Sequence, residues 1–115
     1  MILLVEDEPK SRYALARTLR THHYDVTEVG GGNEALALLN KSHFDLVITD
    51  LKMPDQSGLV LLAHIRAKWP RMPLIMMSGY LSEAAGKIVA DGFSEFLRKP
   101  IDPPILIATV RRLLT

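Results

Sequence analysis

The sequence lacks cysteine, long apolar runs and any marked excess of charge. Without cysteine the chain has no disulfide and no cysteine-ligated metal, which fits a reducing compartment, and we expect a cytoplasmic location. The longest apolar stretches, Leu59–Ala63 and Leu74–Met77, are far too short to span a bilayer, and no signal peptide is expected. A formal net charge of +1 gives no strong field that would draw the chain to nucleic acid or to a membrane.

The composition is that of one ordinary globular domain. The 115 residues are 48% apolar and 23% charged, so a single packed core is expected and disorder is not. We therefore predict that residues 1–115 form one domain, either complete or cut from a longer protein.

Short apolar runs alternate with longer amphipathic segments, which is the rhythm of repeated βα units. The runs are Ile2–Val5, Val26–Val29, Leu46–Thr49, Leu74–Met77 and, more weakly, Glu95–Leu97. The first and third runs are continuously apolar, as in strands of a parallel sheet that is covered on both faces.

The segments between the runs carry helix signals. Helices are predicted over 9–21, 33–40, 57–68 and 82–91, and a last one begins after Asp102. Pro9 suits a first helical turn, Ser82 suits an N-cap and Gly92 suits a helix end. The residues expected on apolar helix faces include Tyr13, Leu59 and Ile105. The order (βα)₅ predicts a doubly wound α/β fold with a five-stranded parallel sheet.

Polar residues follow four of the five predicted strands. Glu6 and Asp7 come after the first, Asp50 after the third, Ser78 after the fourth and Lys99 after the fifth. These positions lie at the carboxyl ends of strands, where open α/β sheets bind ligands. If the strand order is 2-1-3-4-5, the first and third strands are neighbours and the three carboxylates converge.

Such a cluster has a specific chemistry. Three adjacent carboxylates repel one another, and a hard divalent cation such as Mg²⁺ resolves the repulsion with oxygen ligands. With Lys99 and the Ser78 hydroxyl nearby, the set fits phosphoryl transfer with a carboxylate nucleophile. Each residue alone is more simply a loop, cap or surface residue. Their common position at one sheet edge favours the functional interpretation.

Four motifs together resemble the receiver domain family of response regulators, the phosphorylated switches of two-component signalling. They are Leu4-Val5-Glu6-Asp7-Glu8, Asp50-Leu51-Lys52-Met53-Pro54 with Gly58, Ser78-Gly79 and Lys99-Pro100. The resemblance covers essentially the whole chain. It implies a flavodoxin-like fold of strand order 2-1-3-4-5 and phosphorylation of Asp50 by a sensor histidine kinase or a phosphotransfer protein.

The resemblance also implies roles for single residues around Asp50. Asp7 would bind Mg²⁺ directly, Glu6 through water, and Lys52 through its backbone carbonyl. Lys99 would pair with Asp50 or its phosphoryl group, and a cis Lys99–Pro100 bond would help to aim the Lys99 side chain. Ser78 would hydrogen-bond a phosphoryl oxygen, and the small Gly79 would leave room for the phosphoryl group. Ser78 and Phe96 would be the switch residues.

Further expectations concern regulation and partners. Lys52 and Tyr80, two residues past Asp50 and Ser78, are expected to tune the lifetime of the phosphoryl group. Homodimerisation on phosphorylation is possible, although the start of the last helix, Asp102-Pro103-Pro104, departs from the large DNA-binding subfamily. No membrane contact is expected, and nucleic acid would be reached only through an output domain outside these residues. The chain is not expected to be a dedicated enzyme.

The sequence also offers three alternative interpretations. Gly30-x-Gly32-x-x-Ala35 superficially matches a dinucleotide-binding fingerprint, but it follows the second strand and not the first. A dehalogenase-type phosphatase needs a second aspartate two residues after Asp50, where Lys52 stands. An unphosphorylated interaction module on the same fold is the third alternative.

Overall fold

Strands and helices alternate along the chain. The computed structural model describes residues 1–79 and 94–115, so the predicted helix 82–91, its Ser82 and Gly92 signals, and Tyr80 lie outside the described residues. The elements are β1 (Ile2–Val5), α1 (Pro9–Thr21), β2 (Val26–Val29), α2 (Gly32–Lys41), β3 (Leu46–Asp50), α3 (Gly58–Lys68), β4 (Leu74–Ser78), β5 (Ser94–Arg98) and α4 (Pro103–Leu114). Across the two described ranges, no helix has the length and apolar character needed to cross a bilayer.

The five strands form one parallel sheet of order β2-β1-β3-β4-β5. This confirms the predicted doubly wound α/β fold. Every residue of β1, β3 and β4 is buried, because helices cover both faces of the sheet centre. β2 and β3 lie on opposite sides of β1, so the direction in which strands are added to the sheet reverses after β2. This topological switch point lies at the carboxyl ends of β1 and β3.

Two apolar cores lie on opposite faces of the sheet, because successive strand residues point to opposite sides. Leu3 and Val5 of β1 belong to the core under α2 and α3, where Ala35, Leu39, Leu61 and Ile65 are buried. Ile2 and Leu4 belong to the core under α1 and α4, where Ala16, Leu19, Leu106, Ile107 and Val110 are buried. The paired cores fix the sheet between its helices, and with it the edge that carries the polar residues.

Three residues that were predicted to face the core are exposed instead. Tyr13 is 64% exposed, Ile105 52% and Leu59 39%. The buried positions nearby are Leu61 and Leu106. Neighbouring helix residues differ in direction by about 100°, so a run of apolar residues cannot all face one core. The prediction was wrong because these helices carry more apolar residues than their buried faces hold.

Side chains close the starts of two helices. The carboxylate of Glu8 accepts hydrogen bonds from the backbone N–H groups of Lys10 and Ser11 at the start of α1. The Ser57 hydroxyl accepts one from Val60 at the start of α3. Asp102 occupies the N-cap position of α4, as predicted, but its side chain makes no capping hydrogen bond. Glu8 and Ser57 therefore satisfy first-turn backbone N–H groups of the helices that they precede.

Candidate functional site

The carboxyl edge of the sheet gathers the predicted polar residues. Glu6 and Asp7 follow β1 directly, Asp50 and Ser78 are the last residues of β3 and β4, and Lys99 follows β5. The register pairs Val5 with Thr49, so the ends of β1 and β3 are level. Parallel strands alone therefore bring together side chains that are far apart in sequence.

Three carboxylates form a cluster at this edge. Glu6, Asp7 and Asp50 each offer one oxygen, and these oxygens lie within 4.8 Å of one another. Glu6 is fully buried, Asp50 is nearly so, and Asp7 is exposed. A donor set of hard carboxylate oxygens, open to solvent on one side, fits a divalent cation that retains water ligands. The predicted convergence of the carboxylates is confirmed, and the residues present fit a metal ion.

Lys99 provides positive charge inside the cluster. Its ammonium lies 2.6 Å from Asp50 Oδ2 and 2.8 Å from Glu6 Oε1, and its side chain is 29% exposed. The predicted Lys99–Asp50 pair is confirmed, and the contact with Glu6 is an addition to it. The Lys99–Pro100 peptide bond is cis, as the resemblance implied.

Burial and ion pairing shift two pKa values in the cluster. Burial raises the pKa of Glu6 above its ordinary value, because the ion pair with Lys99 offsets only part of the cost of taking this carboxylate out of water. For Lys99, burial lowers the pKa, but the hydrogen bonds to Asp50 and Glu6 outweigh it and leave the pKa above its ordinary value. The site therefore favours a charged lysine and would gain from further positive charge beside Glu6.

The loop after β3 is tied back to Asp50. The Lys52 backbone N–H donates to Asp50 Oδ1 over 3.3 Å, and the Gly58 N–H donates to the Leu51 carbonyl over 2.6 Å. A Cβ at position 58 would lie 2.5 Å from the Asp50 carbonyl oxygen, so only glycine fits there. The loop holds Lys52 beside the cluster, while the role of its carbonyl as a metal ligand stays a prediction.

Ser78, Gly79 and Phe96 occupy the positions that the resemblance implied. Ser78 is buried, and its carbonyl accepts the backbone N–H of Lys99 over 2.8 Å, which joins the ends of β4 and β5. Among residues 1–79 and 94–115, no atom lies within 4 Å of a Cβ built on Gly79. Phe96 is partly buried and packs against the core under α2 and α3. Their roles in phosphoryl binding and switching stay predictions.

Two residues that support the cluster had no predicted role of their own. Arg12 of α1 donates from Nη1 to the Glu6 carbonyl over 2.9 Å, and its Nε lies 3.8 Å from Glu28 of β2. Glu8 holds the start of α1 immediately after the two acidic residues. Glu8 could have been recognised as a cap from the following Pro9. Nothing in the sequence pairs Arg12 with a backbone carbonyl.

The glycine-rich segment does not form a nucleotide site. It follows β2, and the first backbone N–H groups of α2, at Gly32 and Asn33, bind the carboxylate of Asp55. In a dinucleotide-binding fold the N–H groups at this helix start bind pyrophosphate. Because a carboxylate of the chain itself occupies them, the dinucleotide interpretation is wrong.

Comparison with known proteins agrees with this site. Residues 2–111 match the family model described as the response regulator receiver domain. The chain is 36% identical to the sensor kinase CckA of Brucella abortus over 98% of its length and 38% identical to the response regulator protein PilR of Pseudomonas aeruginosa over 87%. It spans only 12% and 23% of those two relatives.

A solved structure is also similar. The response regulator protein TrrA of Thermotoga maritima, in complex with Mg²⁺-BeF, matches with a TM-score of 0.86 and 31% identity, covering 98% of this chain and 97% of that one. The chain therefore belongs to the response regulator receiver domain family. Such domains are signalling modules of two-component systems, and phosphorylation of an aspartate is characteristic of the family.

Proposed function

We propose that Asp50 accepts a phosphoryl group from a sensor histidine kinase or a phosphotransfer protein in a Mg²⁺-dependent reaction, and that residues 1–115 act as one receiver domain. One observation carries the proposal. The Asp50 carboxylate lies between two further carboxylates and the Lys99 ammonium, which is 2.6 Å away. Family membership supports it, because aspartate phosphorylation is characteristic of receiver domains.

The metal would be held by Asp7 and Asp50 directly, by Glu6 through water, and by the backbone carbonyl of Lys52. All of these donors are oxygens, as Mg²⁺ prefers, and the related TrrA was solved with Mg²⁺-BeF. When bound, the ion would neutralise negative charge on the phosphoryl oxygens.

The chain's own residues perform the transfer step. A carboxylate oxygen of Asp50 attacks the phosphorus, and the new O–P bond forms as the N–P bond to the donor imidazole breaks. The leaving imidazole nitrogen keeps that electron pair and takes up a proton. The Lys99 ammonium stabilises charge on the phosphoryl oxygens, and the Ser78 hydroxyl donates a hydrogen bond to one of them. Gly79, which has no side chain, would leave room for the phosphoryl group beside Ser78.

Phosphorylation would then shift a two-state equilibrium. Ser78 moves toward the new phosphoryl oxygens, and Phe96, now only partly buried, rotates into the space that this movement leaves. The shift changes the surface around β5 and α4. Homodimerisation through that surface, and tuning of phosphoryl lifetime by Lys52 and Tyr80, belong to the same proposal.

A phosphodonor protein would approach along α1. A cavity of about 510 Å³ opens beside Glu6 and Lys99, and its other lining residues are Ser11, Ala14, Leu15, Pro100 and Ile101. Its largely uncharged rim fits an apolar helix face that presents a phosphohistidine. The domain would act in the cytoplasm, where the kinase finds ATP, and would reach nucleic acid only through an output domain outside these residues.

Intact mass after incubation with Mg²⁺ and acetyl phosphate tests the proposal. We expect the added mass of one phosphoryl group, absent from Asp50→Asn and absent in a chelator. The chain would catalyse its own modification without acting on another substrate. If folded wild-type protein shows no adduct and no beryllofluoride complex, the domain is an unphosphorylated interaction module and the proposal is wrong.

A further inference from the structure

The loop between β3 and α3 rests against the start of α2. The Asp55 carboxylate accepts the backbone N–H of Gly32 over 3.1 Å and that of Asn33 over 2.9 Å. Beside it, Gln56 Nε2 donates to Asn33 Oδ1 over 2.8 Å. These contacts join the β3–α3 loop to the first turn of α2. We call this set (Gly31, Gly32, Asn33, Asp55 and Gln56) the α2 clamp.

The clamp supplies a cap that α2 lacks in its own sequence. Its N-cap residue is Gly31, which has no side chain to satisfy the first N–H groups of the helix. Asp55 takes that role from a distant loop and places negative charge at the positive end of the helix. The N–H of Asn33 is the main reason that the pKa of Asp55 lies below its ordinary value, so the carboxylate stays ionised.

The clamp also explains the glycines at 31 and 32. A Cβ on Gly31 would lie 2.9 Å from Asp55 Oδ2, and one on Gly32 would lie 2.6 Å from Gln56 Cγ. Larger residues would push the loop away from the helix. The glycines of the segment that superficially matched a nucleotide-binding fingerprint therefore make room for Asp55 and Gln56.

The clamped loop is the one that leaves Asp50. At its first residues the Lys52 N–H donates to Asp50 Oδ1, and at its end Gly58 bonds to Leu51. Asp55 lies between these two attachments along the loop. It adds a third one, to the start of α2. Movement of the loop centre would displace Lys52, whose carbonyl is assigned to the metal.

We propose that Asp55 is a positioning residue for the metal site: by clamping the β3–α3 loop to α2 it holds the Lys52 carbonyl and the Asp50 carboxylate ready to bind Mg²⁺. The inference rests on the proposed function, since it concerns the same metal. Without the clamp the loop must be ordered when the ion binds, and that entropy cost weakens binding. We expect Asp55→Ala to raise the Kd for Mg²⁺ about fivefold, at the lower end of typical coupling between sites.

Coupling between two sites is reciprocal. Mg²⁺ binding in the wild type should therefore strengthen the clamp and slow hydrogen exchange of the Gly32 and Asn33 amides. In Asp55→Ala these amides should exchange faster, and Mg²⁺ should no longer slow them. A residue that only stabilised the fold would not make exchange at the start of α2 depend on the metal.

The experiment measures the Mg²⁺ Kd by calorimetry, without a phosphodonor, and amide exchange by NMR with and without Mg²⁺. The variants are Asp55→Ala, Asp55→Asn and Ser57→Ala. Ser57 lies in the same loop but caps α3, so its loss should cost similar stability and leave the Kd unchanged. Asp55→Asn keeps one acceptor oxygen and should fall between the wild type and Asp55→Ala.

The outcomes separate this inference from the proposed function. If the wild type binds Mg²⁺ and Asp55→Ala binds it equally well, the clamp does not position the site, while the metal assignment stands. Equal weakening by Ser57→Ala would show a general effect of stability and would also overturn the inference. If folded wild-type protein does not bind Mg²⁺, both the inference and the metal assignment are wrong.

Discussion

Replacing Lys99 with methionine should change stability and metal affinity in opposite directions. The Lys99 ammonium lies within hydrogen-bond distance of both Glu6 and Asp50, at 2.8 and 2.6 Å. Methionine keeps an unbranched chain of similar length and removes the charge. The variant therefore exposes the mutual repulsion of the carboxylates that the lysine offsets.

The size of that repulsion follows from the geometry. The cluster oxygens lie within 4.8 Å of one another. At that separation two unit charges repel by about 3.5 kcal/mol at an effective dielectric constant near 20 and by about 1 kcal/mol in water. Because the site is open on one side, we expect the metal-free variant to lose about 1–3 kcal/mol of unfolding free energy. The loss of a nearby cation should also tighten Mg²⁺ binding about tenfold, which corresponds to about 1.4 kcal/mol.

Urea unfolding at pH 8, in chelator and in excess Mg²⁺, measures both effects. An alkaline pH opposes the uptake of a proton by Glu6, whose pKa is raised by burial, and so opposes this route to relieving the repulsion. Lys41→Met, on an exposed part of α2, serves as the control and should change little. The proposed Mg²⁺ ion would bind only the folded state, so it should restore most of the stability lost by Lys99→Met. A variant as stable as the wild type in chelator, or one that binds Mg²⁺ more weakly, would refute this reasoning.

Three further predictions test separate parts of the account. Gly58→Ala should cost about 1–3 kcal/mol in urea unfolding, because the new methyl would lie 2.5 Å from the Asp50 carbonyl oxygen. Ala14→Arg should slow transfer from a protein phosphodonor without slowing reaction with acetyl phosphate, since Ala14 lines the cavity beside the site, and Ala37→Arg on the far side should slow neither. Asp55, whose pKa is lowered in the folded state, stabilises the fold above its unfolded value of 3.8, and that contribution is lost as the pH falls through the folded pKa. The stability difference between wild type and Asp55→Ala, about 1 kcal/mol at neutral pH, should therefore shrink in acid.

Each of these predictions has a contrary result. An unperturbed Gly58→Ala protein would show that the loop can move away from Asp50 at little cost. If Ala14→Arg slowed the reactions with the protein phosphodonor and with acetyl phosphate equally, the substitution would be disturbing the Asp50 site and not the docking of a partner. A stability difference for Asp55→Ala that is independent of pH would show that the charge of the carboxylate is not what caps α2.

The strands and the main site were predictable from the sequence for a physical reason. Continuous apolar runs mark strands buried on both faces, and β1 and β2 lie over the predicted ranges Ile2–Val5 and Val26–Val29. Once the strands are known, their carboxyl ends place Asp50 and Lys99 at one edge. The position of a residue after a strand thus carries much of the information about the site.

Contacts that depend on how separate elements pack together were not predictable in the same way. Asp55 and the start of α2 meet only because the sheet order sets β2 and β3 on either side of β1, and no periodicity marks that meeting. The contact of Arg12 with the Glu6 carbonyl likewise depends on how α1 packs. Tyr13 was predicted to be buried and is exposed. An apolar pattern alone does not show which face of a helix packs against the core.

The central claim, that Asp50 is the phosphoacceptor, is tested most directly by trapping the modified side chain. Protein treated with Mg²⁺ and acetyl phosphate is reduced with borohydride, which converts an aspartyl phosphate to homoserine, and its peptides are sequenced by mass spectrometry. We expect homoserine at position 50 and none when Mg²⁺ is chelated. Homoserine at Asp7 or another acidic residue, with Asp50 unchanged, would contradict it.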